Sequence, residues 1–256
     1  MRLTPRVLVL LPVFATFVAS VGAVEAPYSN DFSGTGGNVA FANESTDAAW
    51  NVTSGVYRNA LTGSGSDTRS VASLQVSNAL NTSFTLSTQF TITTAPATNT
   101  STYGFGLFGS NATFASSYYL ADVNFGTSAN DAMIRIVKLS GSTTTLNSGV
   151  GAAYAIALNT TYTLKMDIVS AQSGLTMTMS LFEGATQKGT SIVATDTTPL
   201  TGDYFGIRNR YTGNVAHSVS YDNFNITPIP EPSTLAMLAG GLAMGVAMVS
   251  RRARRS

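Results

Sequence analysis

The chain has 256 residues, of which 44% are hydrophobic and 11% charged, with a formal net charge of +1. That hydrophobic share can build a core and excludes a disordered chain, while charge at less than half the ~25% usual in soluble domains leaves Ser, Thr, Asn and Gln to cover the surface, which suits strands better than helices. Zero cysteines exclude a disulfide framework, a CxxC redox pair and a thiolate zinc site, and the single histidine, His217, excludes HExxH and multi-histidine metal centres.

At the N-terminus, Arg2 and Arg6 precede an apolar run from Val7 to Val18, followed by small residues. This predicts a signal peptide over residues 1–26. The small residues that signal peptidase needs occur in two registers, Val21-Gly22-Ala23 and Val24-Glu25-Ala26, and both stay open. The run is shorter than the ~20 residues of a membrane span, which favours a cleaved leader over an anchor.

Residues 27–226 are expected to form one domain. They carry eight bases and eleven acids, so the arginines at the two ends conceal a net −3 in the middle. No basic patch stands out, and nucleic acid is not an expected partner. Period two then sets the fold class. Phe84, Leu86, Phe90 and Ile92 alternate with Thr85, Ser87, Gln89, Thr91 and Thr93, and the same rhythm runs through Tyr162–Ile168 and Leu175–Leu181, which read as a hairpin. Further strands are expected at Trp50–Tyr57, Ser70–Val76, Tyr103–Gly109, Tyr118–Phe125, Met133–Leu139, Ser191–Thr195, Tyr204–Arg208 and His217–Ile226, and no window sustains a 3.6-residue period. The expected fold is all-β, an antiparallel β-sandwich of jelly-roll type.

In the closing strand, Val219 and Tyr221 share one parity, whereas Phe224 and Ile226 share the other. A β-bulge at Asp222-Asn223 would put all four on one face. The segment Ser218–Phe224 resembles the final strand of concanavalin-like and laminin-G-like jelly rolls, and Asn30-Asp31-Phe32-Ser33-Gly34, followed by Trp50, resembles their opening. The resemblance implies that first and last strands pair, bringing Asp31 near Asp222. With Asn223 these would form a candidate calcium site, since calcium takes six to eight hard oxygens, although no DxDxDG loop is present.

After the domain, Pro230-Glu231-Pro232 stands ahead of the apolar run Leu235–Val249, and the chain closes on Arg251, Arg252, Arg254 and Arg255. The fifteen apolar residues make a short membrane helix, reaching about 22 Å against a ~30 Å hydrocarbon core, and the arginines would hold the C-terminus on the cytoplasmic side. This order of features resembles the PEP-CTERM sorting signal of Gram-negative bacteria. The resemblance implies recognition by an exosortase, passage through the inner membrane, and a final place at the cell surface or in extracellular polysaccharide or biofilm matrix. Residues 227–256 are therefore expected to be a sorting segment.

Enzymatic constellations are poorly supported. Residues 27–226 contain two glutamates, Glu44 and Glu183, and no strand carries two acids at i and i+2, the arrangement expected of a jelly-roll glycosidase. Asp167 and Glu183 are expected to neighbour one another across the hairpin, both exposed. His217, Ser218, Ser220 and Asp222 lack the GxSxG elbow a nucleophilic serine needs, so His217 reads as a solvent-facing strand residue. For sugar binding, aromatic faces and hydroxyl-bonding groups are the relevant signals. Tyr103, Tyr118, Tyr119, Tyr204 and Tyr211 are candidates for an exposed cluster, and Tyr204, Arg208 and Tyr211 form the expected ligand site. Seven N-x-S/T sequons, at Asn43, Asn51, Asn81, Asn99, Asn111, Asn159 and Asn225, are acceptable surface positions but common by chance in so Asn- and Thr-rich a chain. The expected function is non-enzymatic: a structural or polysaccharide-interacting surface protein, the alternative being a glycan-active hydrolase or lyase on the same fold.

Overall fold

The computed structural model describes residues 26–33, 42–43, 50–61, 68–77, 83–94, 101–125, 131–211 and 217–229. The expected leader and sorting segment, including Pro230–Pro232 and the terminal arginines, lie outside these residues.

Two antiparallel sheets face each other. The first contains β1 (Tyr28–Asn30), β3 (Trp50–Thr53), β4 (Val56–Leu61), β6 (Phe84–Thr94), β11 (Thr161–Ala171), β12 (Gly174–Glu183), β13 (Thr186–Asp196) and β15 (His217–Pro228). The second contains β2 (Ala42–Asn43), β5 (Thr68–Gln75), β7 (Ser101–Gly109), β8 (Ser117–Phe125), β9 (Met133–Ser140), β10 (Ser142–Val150) and β14 (Tyr204–Tyr211). Their orders are β13-β12-β11-β6-β15-β4-β3, with β1 added beside β15, and β10-β9-β8-β7-β14-β5-β2. A short 3-10 turn, Ala152–Tyr154, follows β10.

The alternation in the sequence is the alternation of burial. Phe84, Leu86, Phe90 and Ile92 of β6, Leu164, Met166 and Ile168 of β11, and Met177, Met179 and Leu181 of β12 all point into the core. Each contributes about 1.5–3 kcal/mol by leaving water. The expected hairpin forms as β11 and β12, Leu164 opposite Leu181 and Met166 opposite Met179. That register sets Glu183 opposite Tyr162 and Asp167 opposite Thr178, five rungs apart, so the two carboxylates are not neighbours. Asp167 instead accepts from Thr85 Oγ1 at 2.6 Å and from Lys165 Nζ at 3.0 Å.

The bulge in β15 is present. Asn223 has φ 49°, and the register with β6 shifts between Asp222 and Asn225, so that Val219, Tyr221, Phe224 and Ile226 are all fully buried. The bulge also divides the strand's other edge: His217–Tyr221 pairs with β4, and Phe224–Ile226 pairs with β1. Thr88, a buried hydroxyl within the apolar parity of β6, donates to the Asp222 carbonyl at 3.0 Å. A backbone acceptor displaced by the bulge is thereby satisfied.

Residues Trp50–Tyr57, expected as one strand, form two. Ser54 and Gly55 both have positive φ, 54° and 77°, the geometry of a two-residue type I′ hairpin turn. Trp50 then stacks on Tyr57 at 5.1 Å, and Tyr57 on Phe32 at 5.2 Å. β10, absent from the expected set, is an edge strand whose burial does not alternate.

One flank is stitched between sheets. Asn147 of β10 donates through Nδ2 to the Val193 carbonyl of β13 at 2.6 Å, and the Tyr154 hydroxyl donates to the Thr190 carbonyl at 2.9 Å. Lower on this flank, Asp196 accepts from the Tyr119 hydroxyl at 2.5 Å and pairs with Lys138 Nζ at 2.6 Å. Burial opposes the Asp196 charge, but hydrogen bonds from Lys138, Tyr119 and the Thr198 N–H outweigh it and lower its pKa to about 2.

Candidate functional site

The seven-stranded sheet is apolar on its inner face and partly apolar on its outer face. Inward go Tyr103, Phe105 and Leu107 of β7, Tyr119, Ala121 and Val123 of β8, Ile134 and Ile136 of β9, and Phe205 and Ile207 of β14. On the opposite parity, Val71, Tyr118, Leu120 and Val137 form a second buried cluster with Phe114, flanked by Leu139 and Tyr204. The outer face is therefore itself a built surface.

Its side chains lie in cross-strand rows fixed by the register. One row runs Arg135, Asp122, Gly104, Arg208, Val71 across β9, β8, β7, β14 and β5. The next row toward the N-terminus of β7 brings Asn124, Thr102 and Arg210 together, and the next in the other direction runs Val137, Leu120, Gly106, Gly206, Ser73. Three glycines down the middle leave a trough. Phe114 fills its lower part, for a Cβ on Gly106 would stand 2.7 Å from the Phe114 ring. That ring meets Tyr118 edge-on, 5.5 Å between centroids.

Above this aromatic plug sits a charged cluster. Asp122 is 1% exposed and accepts from Arg135 in a fork, Nε on Oδ1 at 2.6 Å and Nη2 on Oδ2 at 3.0 Å, while Arg208 Nη1 stands 3.8 Å from Oδ2. Burial works against the Arg135 charge, but the Asp122 carboxylate prevails and raises its pKa, with the like charge of Arg210 opposing. The cavity here, about 90 Å³, is lined by Tyr118, Leu120, Arg135, Val137, Leu139, Thr143, Arg208 and Arg210. In the adjacent row the buried Thr102 Oγ1 and Asn124 Oδ1 have no hydrogen-bond partner. Guanidinium donors, the Thr143 hydroxyl and an aromatic wall converging on one small concavity can bind a polar ring by direct hydrogen bonds.

The floor of the cluster is held from behind. Tyr221, fully buried, reaches across from β15 in the other sheet; its hydroxyl donates to the Arg208 carbonyl at 2.8 Å and accepts from the Gly104 N–H at 3.0 Å. Gly104 and Arg208 are register partners, so the hydroxyl stands between β7 and β14 directly beneath Arg208.

Of the expected ligand residues, Tyr204 and Arg208 share this outer face, whereas position 211 has the opposite parity, with the inward positions 205 and 207; the Tyr211 side chain lies outside the described set. Tyr103 and Tyr119 are core residues rather than members of an exposed cluster, because their strand positions face the other sheet. Tyr118 lines the cavity but is 5% exposed. The His217 side chain falls outside the description.

The expected acidic pair does approach: β1 pairs with β15, and burial first, then the charge of Asp31, raises the Asp222 pKa. Asp31 Oδ1 already accepts from the Ser33 N–H and hydroxyl, Asp222 Oδ1 from the Asn223 N–H, and the Asn223 amide donates to Gln89. Among the described residues no three carboxylate or histidine groups cluster. The set offers part of the six to eight oxygens calcium requires.

Two sheets, the order of their strands and the pairing of first with last can be set beside known structures. No protein-family model matches the chain, and no curated protein matches its sequence. Solved structures do match. Lectin I from Ulex europaeus, in complex with the methyl glycoside of α-L-fucose, has 16% identity, covers 78% of this chain and 97% of its own, and superposes with a TM-score of 0.54. The fold is that of the legume lectins. A legume lectin-like domain from Entamoeba histolytica gives a TM-score of 0.54 at 12% identity, with 83% of this chain and 99% of that one covered. The exoplasmic/lumenal domain of VIP36, in its Ca2+/Man3GlcNAc-bound form, gives 0.52 at 13% identity, covering 79% and 89%.

Proposed function

We propose that this lectin-fold chain is a non-enzymatic sugar-binding module, and that it binds on the outer face of the seven-stranded sheet. The observation that carries the reading is the cavity there, where Arg135, Arg208 and Arg210 converge over a buried Asp122 beside an aromatic wall. Such a site offers fixed donors to ring hydroxyls without needing to move. The cavity lining includes no carboxylate pair, whereas glycoside hydrolysis needs two carboxyl groups flanking the bond. Binding of the purified domain to a glycan array, compared with an Asp122→Asn variant, tests the proposal. Retention of defined glycans by the wild type and their loss in the variant support it; binding at buffer background for every glycan overturns it.

Export and sorting belong to the same reading and rest on the sequence: the leader over 1–26, the Pro230-Glu231-Pro232 motif, the short apolar run and the terminal arginines. Signal peptidase and an exosortase would remove the two ends, leaving the sandwich at the surface or in the matrix of a Gram-negative cell, where extracellular polysaccharide is the available partner. Intact mass of the protein recovered from membrane, surface and medium fractions tests this. A species ending near Pro230 supports it, and a Glu231→Ala variant processed like the wild type removes the role of the motif. Calcium would enter at Asp31, Asp222 and Asn223; a melting temperature indifferent to millimolar calcium removes it from the proposal.

A further inference from the structure

The solvated face of an antiparallel sheet normally turns polar side chains to water. The outer face of the eight-stranded sheet does so at its centre, where Thr85, Ser87 and Gln89 of β6 stand opposite Asp167, Lys165 and Thr163 of β11. The outer face of the seven-stranded sheet departs from this rule. Leu120 stands opposite Val137 and Tyr118 opposite Leu139, two apolar cross-strand pairs on consecutive outward rungs of β8 and β9. Phe114 covers the glycine side of this surface, since a Cβ on Gly106 would stand 2.7 Å from its ring and one on Gly206 3.0 Å from it. On the side of β8 and β9 the same four apolar side chains border the cavity of about 90 Å³. Thr143 of β10, exposed and opposite Leu139, marks its rim.

We infer that the sugar bound on this face carries a methyl group, on a 6-deoxy carbon or in an acetyl substituent, which enters the corner formed by Tyr118, Leu120, Val137 and Leu139. The inference rests on the sugar-binding reading and narrows it. A hydroxyl or hydroxymethyl group turned to these walls would leave water without gaining a hydrogen bond from them, which weakens binding. A methyl group gains from the same burial, and one carbon more or less in an apolar pocket changes affinity by about 10–200-fold. The cavity is well below the several hundred Å³ of a site that encloses a whole ligand, so it takes one substituent while the remainder of the glycan lies outside, past the rim at Thr143. Selectivity comes from the apolar corner and does not depend on the charge of the sugar.

Binding of the domain to polyacrylamide glycopolymers in matched pairs tests this: L-rhamnose against L-mannose, L-fucose against L-galactose, N-acetylglucosamine against glucose, and N-acetylgalactosamine against galactose. The expected result is at least one pair in which the methyl-bearing member binds about tenfold tighter or more, and whether it is a deoxy or an acetyl pair identifies the source of the methyl. Leu139→Asn, at a partly buried position, should bring that ratio to within about twofold of unity by making the wall polar. Thr143→Trp, at the exposed rim, should weaken the methyl-bearing member about tenfold by filling the mouth, in a position that carries no packing. Val193→Thr, at a half-exposed valine of the other sheet, should change neither. Equal or tighter binding of the unsubstituted members overturns the inference and keeps the sugar-binding reading, as does a preference that both cavity variants leave intact, which places the methyl elsewhere. Binding of none of the eight overturns the inference, and a glycan array blank for every other sugar as well overturns both.

Discussion

Asp122→Asn removes one charge and almost no volume, so its effect isolates the electrostatics of the outer face. Asp122 is 1% exposed and lies within 3.0 Å of two Arg135 nitrogens and 3.8 Å of Arg208. Two unit charges about 4 Å apart interact by roughly 4 kcal/mol at an effective dielectric of 20, and breaking a buried pair by neutralising one partner costs about 3–5 kcal/mol. Arg135 is 24% exposed in its side chain, so water recovers part of its solvation. A destabilisation of about 3 kcal/mol follows. In urea, with m of about 2 kcal/mol/M for a domain of this size, the midpoint should fall by about 1.5 M with m unchanged. The double-mutant cycle with Arg135→Gln should give a coupling above about 1 kcal/mol. A loss below about 1 kcal/mol, with no coupling, would mean that the arginines do not depend on Asp122, and the description of the cluster as a fixed, prearranged unit would be refuted.

Other perturbations read other parts of the architecture. Phe114→Ala should cost about 3 kcal/mol in urea unfolding, since the buried ring fills the trough over Gly106 and packs on Tyr118; a near-neutral effect would show that the trough is closed by something else. Tyr221→Phe leaves the Gly104 N–H and the Arg208 carbonyl without the bridging hydroxyl and should cost about 2 kcal/mol, checked by the same assay together with amide exchange at Gly104. Asp196 has a pKa lowered from 3.8 to about 2, so its contribution is complete above about pH 4 and is lost as pH falls toward 2. Discounted for screening, the stability gap between wild type and Asp196→Asn should shrink by about 1–2 kcal/mol over that interval; a gap independent of pH contradicts the Lys138–Asp196–Tyr119 contact.

The parts of the fold that could be read from sequence are those where one face is wet and the other dry. β6, β11 and β12 announce themselves by strict alternation, and the parity change from Tyr221 to Phe224 locates the bulge to the residue pair. β10 left no such mark, because Ser142–Val150 is an edge strand with nearly every side chain exposed or half-exposed. β3 and β4 merged because a two-residue turn, Ser54-Gly55, interrupts the pattern too briefly. The outer-face cluster was half legible. Tyr204 and Arg208 share a strand and a parity, but Asp122, Arg135 and Thr102 come from three other strands, and only the register brings them into neighbouring rows. A signal was present in β8, where Tyr118-Tyr119-Leu120-Ala121 is apolar on both parities before giving way to Asp122 and Asn124. A strand apolar on both faces has something packed on each, and an acid continuing such a face requires a partner.

The stitched flank also governs how copies of this domain can meet. An edge strand offers its unpaired amides and carbonyls to any neighbouring chain, and growth by strand addition starts from such edges. On the flank of β10 and β13 the Val193 and Thr190 carbonyls are already occupied, by Asn147 and Tyr154, and the two edges face each other. A second molecule approaching there would have to displace contacts that also join the two sheets. Lateral association through backbone pairing is therefore directed to the opposite flank, where the short strands β2 and β3 end their sheets. Two and four residues of edge give only a brief template, so growth by strand addition has little to start from on that flank as well.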